Sequence, residues 1–169
     1  DVLETFSIYG RQASSSAELS RILIKFPIDQ ITTDRNNGVI PGSGSVSFYL
    51  RMFNAKHSKT VPSGSYLMVA EPLSRDWQEG FGLDLETYKD KTNGNVGSNW
   101  MSASATTAWT KTGGDYITAA NAAYPWRWFS QSMTTGLEDI EIDITQMVEL
   151  WSAGTLDNYG FGVHLTGTA

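Results

Sequence analysis

The chain has 169 residues and no cysteine, so one domain can bury a full core, whereas disulfide bonds, thiolate metal sites and cysteine nucleophiles are excluded. A formal net charge of −6 argues against nucleic-acid binding, because phosphate recognition is supplied by clustered Lys and Arg side chains. No apolar stretch approaches the roughly 20 residues that span a bilayer, so we expect no membrane insertion.

Alternating apolar and polar residues predict several β-strands in the first half of the chain. The segments 20–28, 45–53 and 66–73 all show this alternation. The segment 45–53 has bulky residues on both sides, and we therefore expect it to be a central strand. An opening strand is predicted around Phe6 and Ile8. Repeated short strands with turn-forming residues between them favour an all-β protein.

Near the C-terminus, the segment 137–144 places isoleucines on one face and acidic residues on the other. The acidic residues are Asp139, Glu141 and Asp143. This pattern predicts an edge-like strand with a solvated outer face. A further strand is predicted over 159–165, where Phe161 and Val163 alternate with glycines.

One helix is predicted between these two strands, at about 144–153. Met147, Val148 and Trp151 follow Ile144 at helical spacing, and Gly154 provides a C-terminal stop. A helix of about ten residues is unstable alone in water, so its apolar stripe must dock on the sandwich.

Two stretches show no clean periodicity. The first, 32–44, is predicted to be a polar loop that ends in the turn sequence PGSGS. The second, 76–136, is a long aromatic-rich insertion within a single domain, 1–169. Loops of this length are usually functional or packed by their own side chains.

The aromatic residues of the insertion have three possible roles. They can form a second core, which we favour because large aromatics are mostly buried; they can also stack on sugar rings or form a partner interface. The residues chosen as a contact surface are Trp100, Trp109, Trp126, Trp128 and Tyr116.

Motifs of catalysis are missing from the sequence. Neither a nucleophile elbow (G-x-S-x-G) nor a phosphate-binding loop with its Lys occurs. His57 and His164 have no metal-ligand partner at i+2 or i+4, and we expect both to be structural. The sequence therefore predicts a protein that is not an enzyme.

Carboxylates remain as candidates for acid–base chemistry or for binding calcium. Two sets of acidic residues are candidates. The first lies in the insertion and comprises Asp84, Glu86 and Asp90. The second lies on one strand and comprises Asp139, Glu141 and Asp143. A solvated or ion-paired acidic face is the favoured interpretation, because no D-x-D-x-D-G loop is present. We expect no cofactor, with calcium at Asp139, Glu141 and Asp143 as the alternative.

Several sequence motifs resemble the DNRLRE-like β-sandwich superfamily. They are SRILIKFPI, SVSFYLRMFNA, DWQEG and IEIDITQMVELWSAGTLDNYGFGVHL, and their order and spacing are similar over most of the chain. The resemblance implies a jelly-roll-like antiparallel β-sandwich with no shared catalytic residues.

Within that superfamily, the middle sequence DWQEGFGLDLETYKDKTNGNVGSNW with AWTKTGGDY looks most like modules in structural proteins of marine tailed phages. The resemblance implies a virion component, such as a capsid decoration, neck or fibre-like module. Its partners would be other virion proteins in a homo-oligomer, and host-surface polysaccharide is a further candidate. The alternative is a carbohydrate-binding module of a secreted or cell-surface bacterial protein.

Overall fold

The computed structural model describes residues 20–55, 66–80, 97–118 and 128–166. Its strands are β1 (Ile22–Ile24), β2 (Tyr49–Met52), β3 (Tyr66–Pro72), β4 (Ser102–Ser104), β5 (Thr107–Ala108), β6 (Phe129–Met133), β7 (Ile140–Asp143) and β8 (Phe161–Thr166). Its helices are α1 (Asp29–Asn36) and α2 (Thr145–Ser152). Neither helix in this part of the chain is long and apolar enough to cross a membrane.

The described strands pair only in antiparallel fashion. Four of them form one sheet in the order β1-β8-β3-β6, while β2 pairs with β7 and β4 pairs with β5. The prediction of an all-β antiparallel fold is thereby confirmed, and the jelly-roll connectivity stays a prediction. The predicted strand near Phe6 and Ile8 lies outside the described residues.

The main core lies between the inner face of the four-stranded sheet and the β2–β7 pair. Alternation along each strand turns its apolar side chains toward this space, as the sequence pattern predicted. The buried members are Ile22, Ile28, Leu50, Met68, Ala70, Met133, Ile140, Ile142, Ile144, Met147, Val148, Trp151, Phe161 and Val163.

Helix α2 docks on this core through Met147, Val148 and Trp151, all of them buried. The Trp151 ring packs against the Phe161 ring of β8 with 5.0 Å between centroids. Gly154 follows the helix with a φ of 68°, a left-handed conformation that suits glycine. The predicted helix and its docked stripe are confirmed.

Helix α1 corrects the prediction of a loop over 32–44, because its residues Asp29–Asn36 are helical. None of its residues is buried, so it lacks the apolar stripe by which helices are found in sequence. It is attached to α2 by Arg35, which donates two hydrogen bonds of 2.9 and 2.6 Å to the Glu149 carboxylate. The partly buried Ile31 also packs against the main core, so the ion pair adds to a small apolar contact.

The PGSGS turn completes the surroundings of Glu149. Ser43 donates its hydroxyl to the carboxylate over 2.7 Å, and the Gly44 amide lies 3.5 Å away. These bonds and the Arg35 guanidinium hold the pKa of Glu149 below its usual range, although burial opposes the shift. The turn thus helps to fix α1 to α2.

Gln131 of β6 joins the two sheets. Its side-chain amide donates to the Asp139 carbonyl over 2.8 Å and accepts from the Glu141 amide over 2.7 Å. A side chain therefore takes the place of a neighbouring backbone, because it bonds the carbonyl and the amide on either side of Ile140. Because β6 belongs to the main sheet, the predicted insertion 76–136 includes part of the sandwich itself.

Strand β2 differs from the prediction that 45–53 would be central. In the described part of the chain it pairs with β7 alone. Leu50 is buried, whereas the neighbouring Tyr49 and Arg51 are exposed. Bulky residues on both faces of this strand therefore reflect an exposed aromatic side and not a second buried one.

Candidate functional site

A hairpin covers part of the outer face of the four-stranded sheet. It is built by β4 and β5, and it lies in a second apolar cluster centred on Leu73, Ala103 and Trp109. Trp109 is only 7% exposed, and its indole N–H donates to the Asn99 carbonyl over 2.8 Å. This tryptophan, chosen from sequence as a contact residue, therefore packs inside the protein, as in the favoured second-core interpretation.

Asp115 fixes the turn that follows β5. Its carboxylate accepts hydrogen bonds from the amides of Thr110, at 3.0 Å, and Lys111, at 2.9 Å. Arg75 Nε lies 3.1 Å from the same carboxylate. Burial raises the pKa of Asp115, but these bonds and the Arg75 charge outweigh burial, and the net pKa is lowered. The charged form of Asp115 is thus part of the folded hairpin.

Tyr116 lies flat on the sheet above Gly162 of β8. A Cβ at Gly162 would lie 2.5 Å from Tyr116 Cε1 and from its hydroxyl oxygen, so only glycine leaves room for the ring. The hydroxyl donates to the Gly113 carbonyl over 2.9 Å. Burial raises the pKa of Tyr116, and the nearby Arg21 guanidinium opposes that shift.

Arg21 lies between two aromatic rings. Its guanidinium carbon is 5.2 Å from the Trp100 ring and 5.1 Å from the Tyr116 ring, both within the range of cation–π attraction. One guanidinium nitrogen also donates to the Gly113 carbonyl over 2.7 Å. The arginine therefore ties β1 to the hairpin and holds Trp100 at the surface, where it is 38% exposed.

His164 and Glu71 extend this arrangement across β8 and β3. His164 Nε2 lies 2.8 Å from a Glu71 carboxylate oxygen, and the His164 ring is 6.1 Å from the Tyr116 ring. We refer to Trp100, Arg21, Tyr116, His164 and Glu71 as the outer row. The expectation that His164 is structural agrees with its place in this network, and His57 lies outside the described residues.

Trp128 stands just before β6 and is 45% exposed. The register of β3 and β6, with Ala70 opposite Phe129, places the backbone of Trp128 beside Glu71. A half-exposed tryptophan therefore lies at each end of the outer row. Trp126, the remaining aromatic residue predicted for a contact surface, lies outside the described residues.

The calcium candidates of β7 each have a protein partner. Asp139 accepts from the Asn54 amide over 2.8 Å, and Asp143 accepts from the Thr145 amide at the start of α2 over 2.9 Å. Glu141 pairs with Arg51 at 2.7 Å.

Within the ranges that the structure describes, no group of three or more His, Asp or Glu residues is arranged to hold a metal. The second carboxylate set chosen from sequence, Asp84, Glu86 and Asp90, lies outside those ranges.

The outward side of β2 and β7 is a second exposed surface, which we call the β2–β7 face. Tyr49 is 48% exposed, and Phe53, just after β2, is 81% exposed. The residues of the β2–β7 face are Tyr49, Arg51, Phe53, Asp139, Glu141 and Asp143. Sequence reasoning did not choose its two aromatic residues as contacts, although the alternation along 45–53 placed them together on one side.

No protein-family model matches the chain, and no curated protein or solved structure is significantly similar to it. The resemblance to the DNRLRE-like superfamily therefore stays a prediction from the sequence motifs.

Proposed function

We propose that this protein is a non-catalytic structural module of a tailed-phage particle and that it binds a neighbouring virion protein. The observation that carries this proposal is the β2–β7 face, where Tyr49 and Phe53 are held in water by a regular strand pair. Exposed aromatic side chains on a rigid element are typical of interface hot spots. The phage context is supplied by the resemblance of the middle sequence.

The outer row supports a structural role over a catalytic one. Arg21 and Tyr116 both bond the Gly113 carbonyl, and His164 faces Glu71. Polar groups that bond one another in this way stabilise the hairpin on the sheet. A catalytic set would instead direct a nucleophile or a base toward a substrate position.

The test has two parts. Light scattering on the purified chain measures its oligomeric state, and mass spectrometry measures whether density-purified particles from a strain carrying the gene contain the chain. The proposal expects the chain in the particles at a fixed ratio to the major capsid protein, with a defined oligomer in solution. A strictly monomeric chain that is missing from the particles contradicts it.

A second candidate function is carbohydrate binding, and it is favoured by Trp100 of the outer row and by Trp128, whose backbone lies beside Glu71. Trp100 presents exposed ring surface beside the Arg21 guanidinium, Trp128 presents exposed ring surface just before β6, and sugar rings stack on such surfaces. This candidate places the contact on the four-stranded sheet and not on the β2–β7 face.

Affinity electrophoresis in gels that contain neutral or acidic polysaccharide, with and without calcium, separates the two candidates. Carbohydrate binding predicts retardation of the wild-type chain and its loss in Trp128→Ala. Val39→Ser is the control, because Val39 is 69% exposed and belongs to neither surface. Equal mobility of all three proteins in every gel would eliminate the sugar-binding candidate.

A further inference from the structure

We infer that the β2–β7 face docks on a basic protein surface that also offers an apolar contact to Phe53 and Tyr49. This inference rests on the proposed function, because it states the chemistry of the virion partner. It is carried by three properties of the face, which are its exposed aromatic residues, its fixed carboxylates and its sign of charge.

The geometry of the strand pair fixes which side chains point outward. Tyr49 is opposite Asp143 and Arg51 is opposite Glu141 in the β2–β7 register. The intervening Leu50 and Ile142 are buried in the main core. Because four residues of strand cover about 13 Å, Tyr49 and Phe53 stand apart at the two ends of the face.

The apolar part of the face consists of side chains that the fold leaves in water. Phe53 is 81% exposed, and Leu137, at the same end of the strand pair, is 61% exposed. Asn54 fixes this end, because its amide donates to Asp139 and its side chain donates to the Gly136 carbonyl over 3.0 Å. An exposed aromatic residue on backbone that is already ordered loses little further entropy on binding.

The net negative charge of the β2–β7 face indicates which kind of partner surface would complement it. The face carries three carboxylates against the single guanidinium of Arg51, and that guanidinium already pairs with Glu141. Asp139 and Asp143 are held by backbone amides, so their charges have fixed positions. Two copies of the same face would bring like charges together, whereas Lys and Arg side chains would complement them.

The experiment is a rebinding assay with particles. Particles are purified from a strain in which the gene is deleted, the recombinant full chain is added, and the bound fraction is measured by co-sedimentation at 50 and 500 mM NaCl. The test variants are Phe53→Ser and Glu141→Lys. Their controls are Val39→Ser and Glu79→Lys, which change exposed residues outside the face.

Phe53→Ser is expected to weaken binding at least about tenfold at both salt concentrations, since the most exposed aromatic contact of the face is lost. Glu141→Lys is expected to weaken it about tenfold at 50 mM NaCl and less at 500 mM, because salt screens surface charges. Both controls are expected to bind like wild type.

Three other outcomes are informative and distinct. If all four variants rebind like wild type, the inference is overturned while the presence of the chain in native particles still supports the proposed function. If native particles lack the chain, the proposed function fails and the inference fails with it. Stronger binding by Glu141→Lys would show that the partner surface is acidic, and it too would overturn the inference.

Discussion

The outer faces of the two sheets differ in whether their aromatic side chains are covered. On the four-stranded sheet, the segment 97–118 covers part of the outer face, with Tyr116 against Gly162 and Trp109 buried with Leu73 and Ala103. On the β2–β7 pair, Tyr49 and Phe53 stay in water. Burial of aromatic surface contributes to stability in the first region, whereas the second leaves comparable surface free for a partner. Substitutions in the first should change folding, and substitutions in the second should change binding.

The largest effect is expected in the core that both sheets share. Trp151→Ala should lower the free energy of unfolding by roughly 3–5 kcal/mol, because a 6% exposed ring would be replaced by a cavity. Trp151→Phe should cost much less, since the indole nitrogen has no hydrogen-bond partner among the described residues. Urea unfolding of the two variants measures both values. Equal losses of unfolding free energy in the two variants would show that the volume of the Trp151 ring is not the source of its contribution to stability.

A smaller effect is expected where the hairpin meets the sheet. Gly162→Ala should destabilise by about 1–3 kcal/mol, because the added Cβ would collide with Tyr116. Hydrogen exchange should rise in 97–118 and stay unchanged in β2 and β7. Gly42→Ala is the control, since a Cβ at Gly42 meets nothing within 4 Å. Faster exchange in both regions would mean that hairpin and β2–β7 pair unfold together.

The hairpin should also respond to acid through Asp115. Its folded pKa lies below the unfolded value of 3.8, so the ionised carboxylate stabilises the hairpin above about pH 4. That contribution is lost as the pH falls through the folded pKa. Asp115→Asn should cost about 1 kcal/mol near neutral pH and weaken the acid dependence of hydrogen exchange in 97–118 below about pH 4. An unchanged acid dependence would show that other carboxylates govern the hairpin.

The smallest effect on folding is expected on the β2–β7 face. Phe53→Ser and Glu141→Lys should each change the free energy of unfolding by no more than about 0.5 kcal/mol, because both side chains are mostly in water. Thermal unfolding of the variants used for rebinding provides this value. A loss of several kcal/mol in Phe53→Ser would mean that Phe53 contributes to the fold, and the contrast between the two outer faces would be lost.

Local pattern was sufficient to predict strands β1, β2, β3, β7 and β8 and helix α2, whereas β4, β5 and β6 lie in the stretch 76–136 that shows no clean periodicity. Alternation along 137–144 located β7, and the spacing of Met147, Val148 and Trp151 located α2 with its buried stripe. Each of these signals is contained in a few consecutive residues.

Helix α1 could not be predicted in that way. It has no fully buried residue, and apart from the partly buried Ile31 its attachment relies on Arg35 pairing with Glu149, which is 114 residues away in sequence. Tyr116 and Gly162 likewise meet only in the folded chain. Contacts between distant residues leave no periodic pattern in either segment.

The candidate surfaces were predicted in part. The many aromatic residues of 76–136 led to the prediction that Trp100, Trp128 and Tyr116 are contact residues. The structure places all three on or beside the outer row. Tyr49 and Phe53 were not chosen, because a strand with bulky residues on both sides was interpreted as central. Single-strand patterns do not show whether a neighbouring layer covers a face, and that information decides which aromatic residues are exposed.

Oxidative footprinting of the assembled particle tests the central claim most directly. Side-chain oxidation by hydroxyl radicals is compared, residue by residue, between the free chain and the chain in native particles. We predict strong protection of Phe53 and Tyr49 in the particle, with Trp128 equally reactive in both states. If Phe53 is equally reactive in both states while Trp100 and Trp128 become protected, the contact lies on the outer row, and our assignment of the β2–β7 face is contradicted.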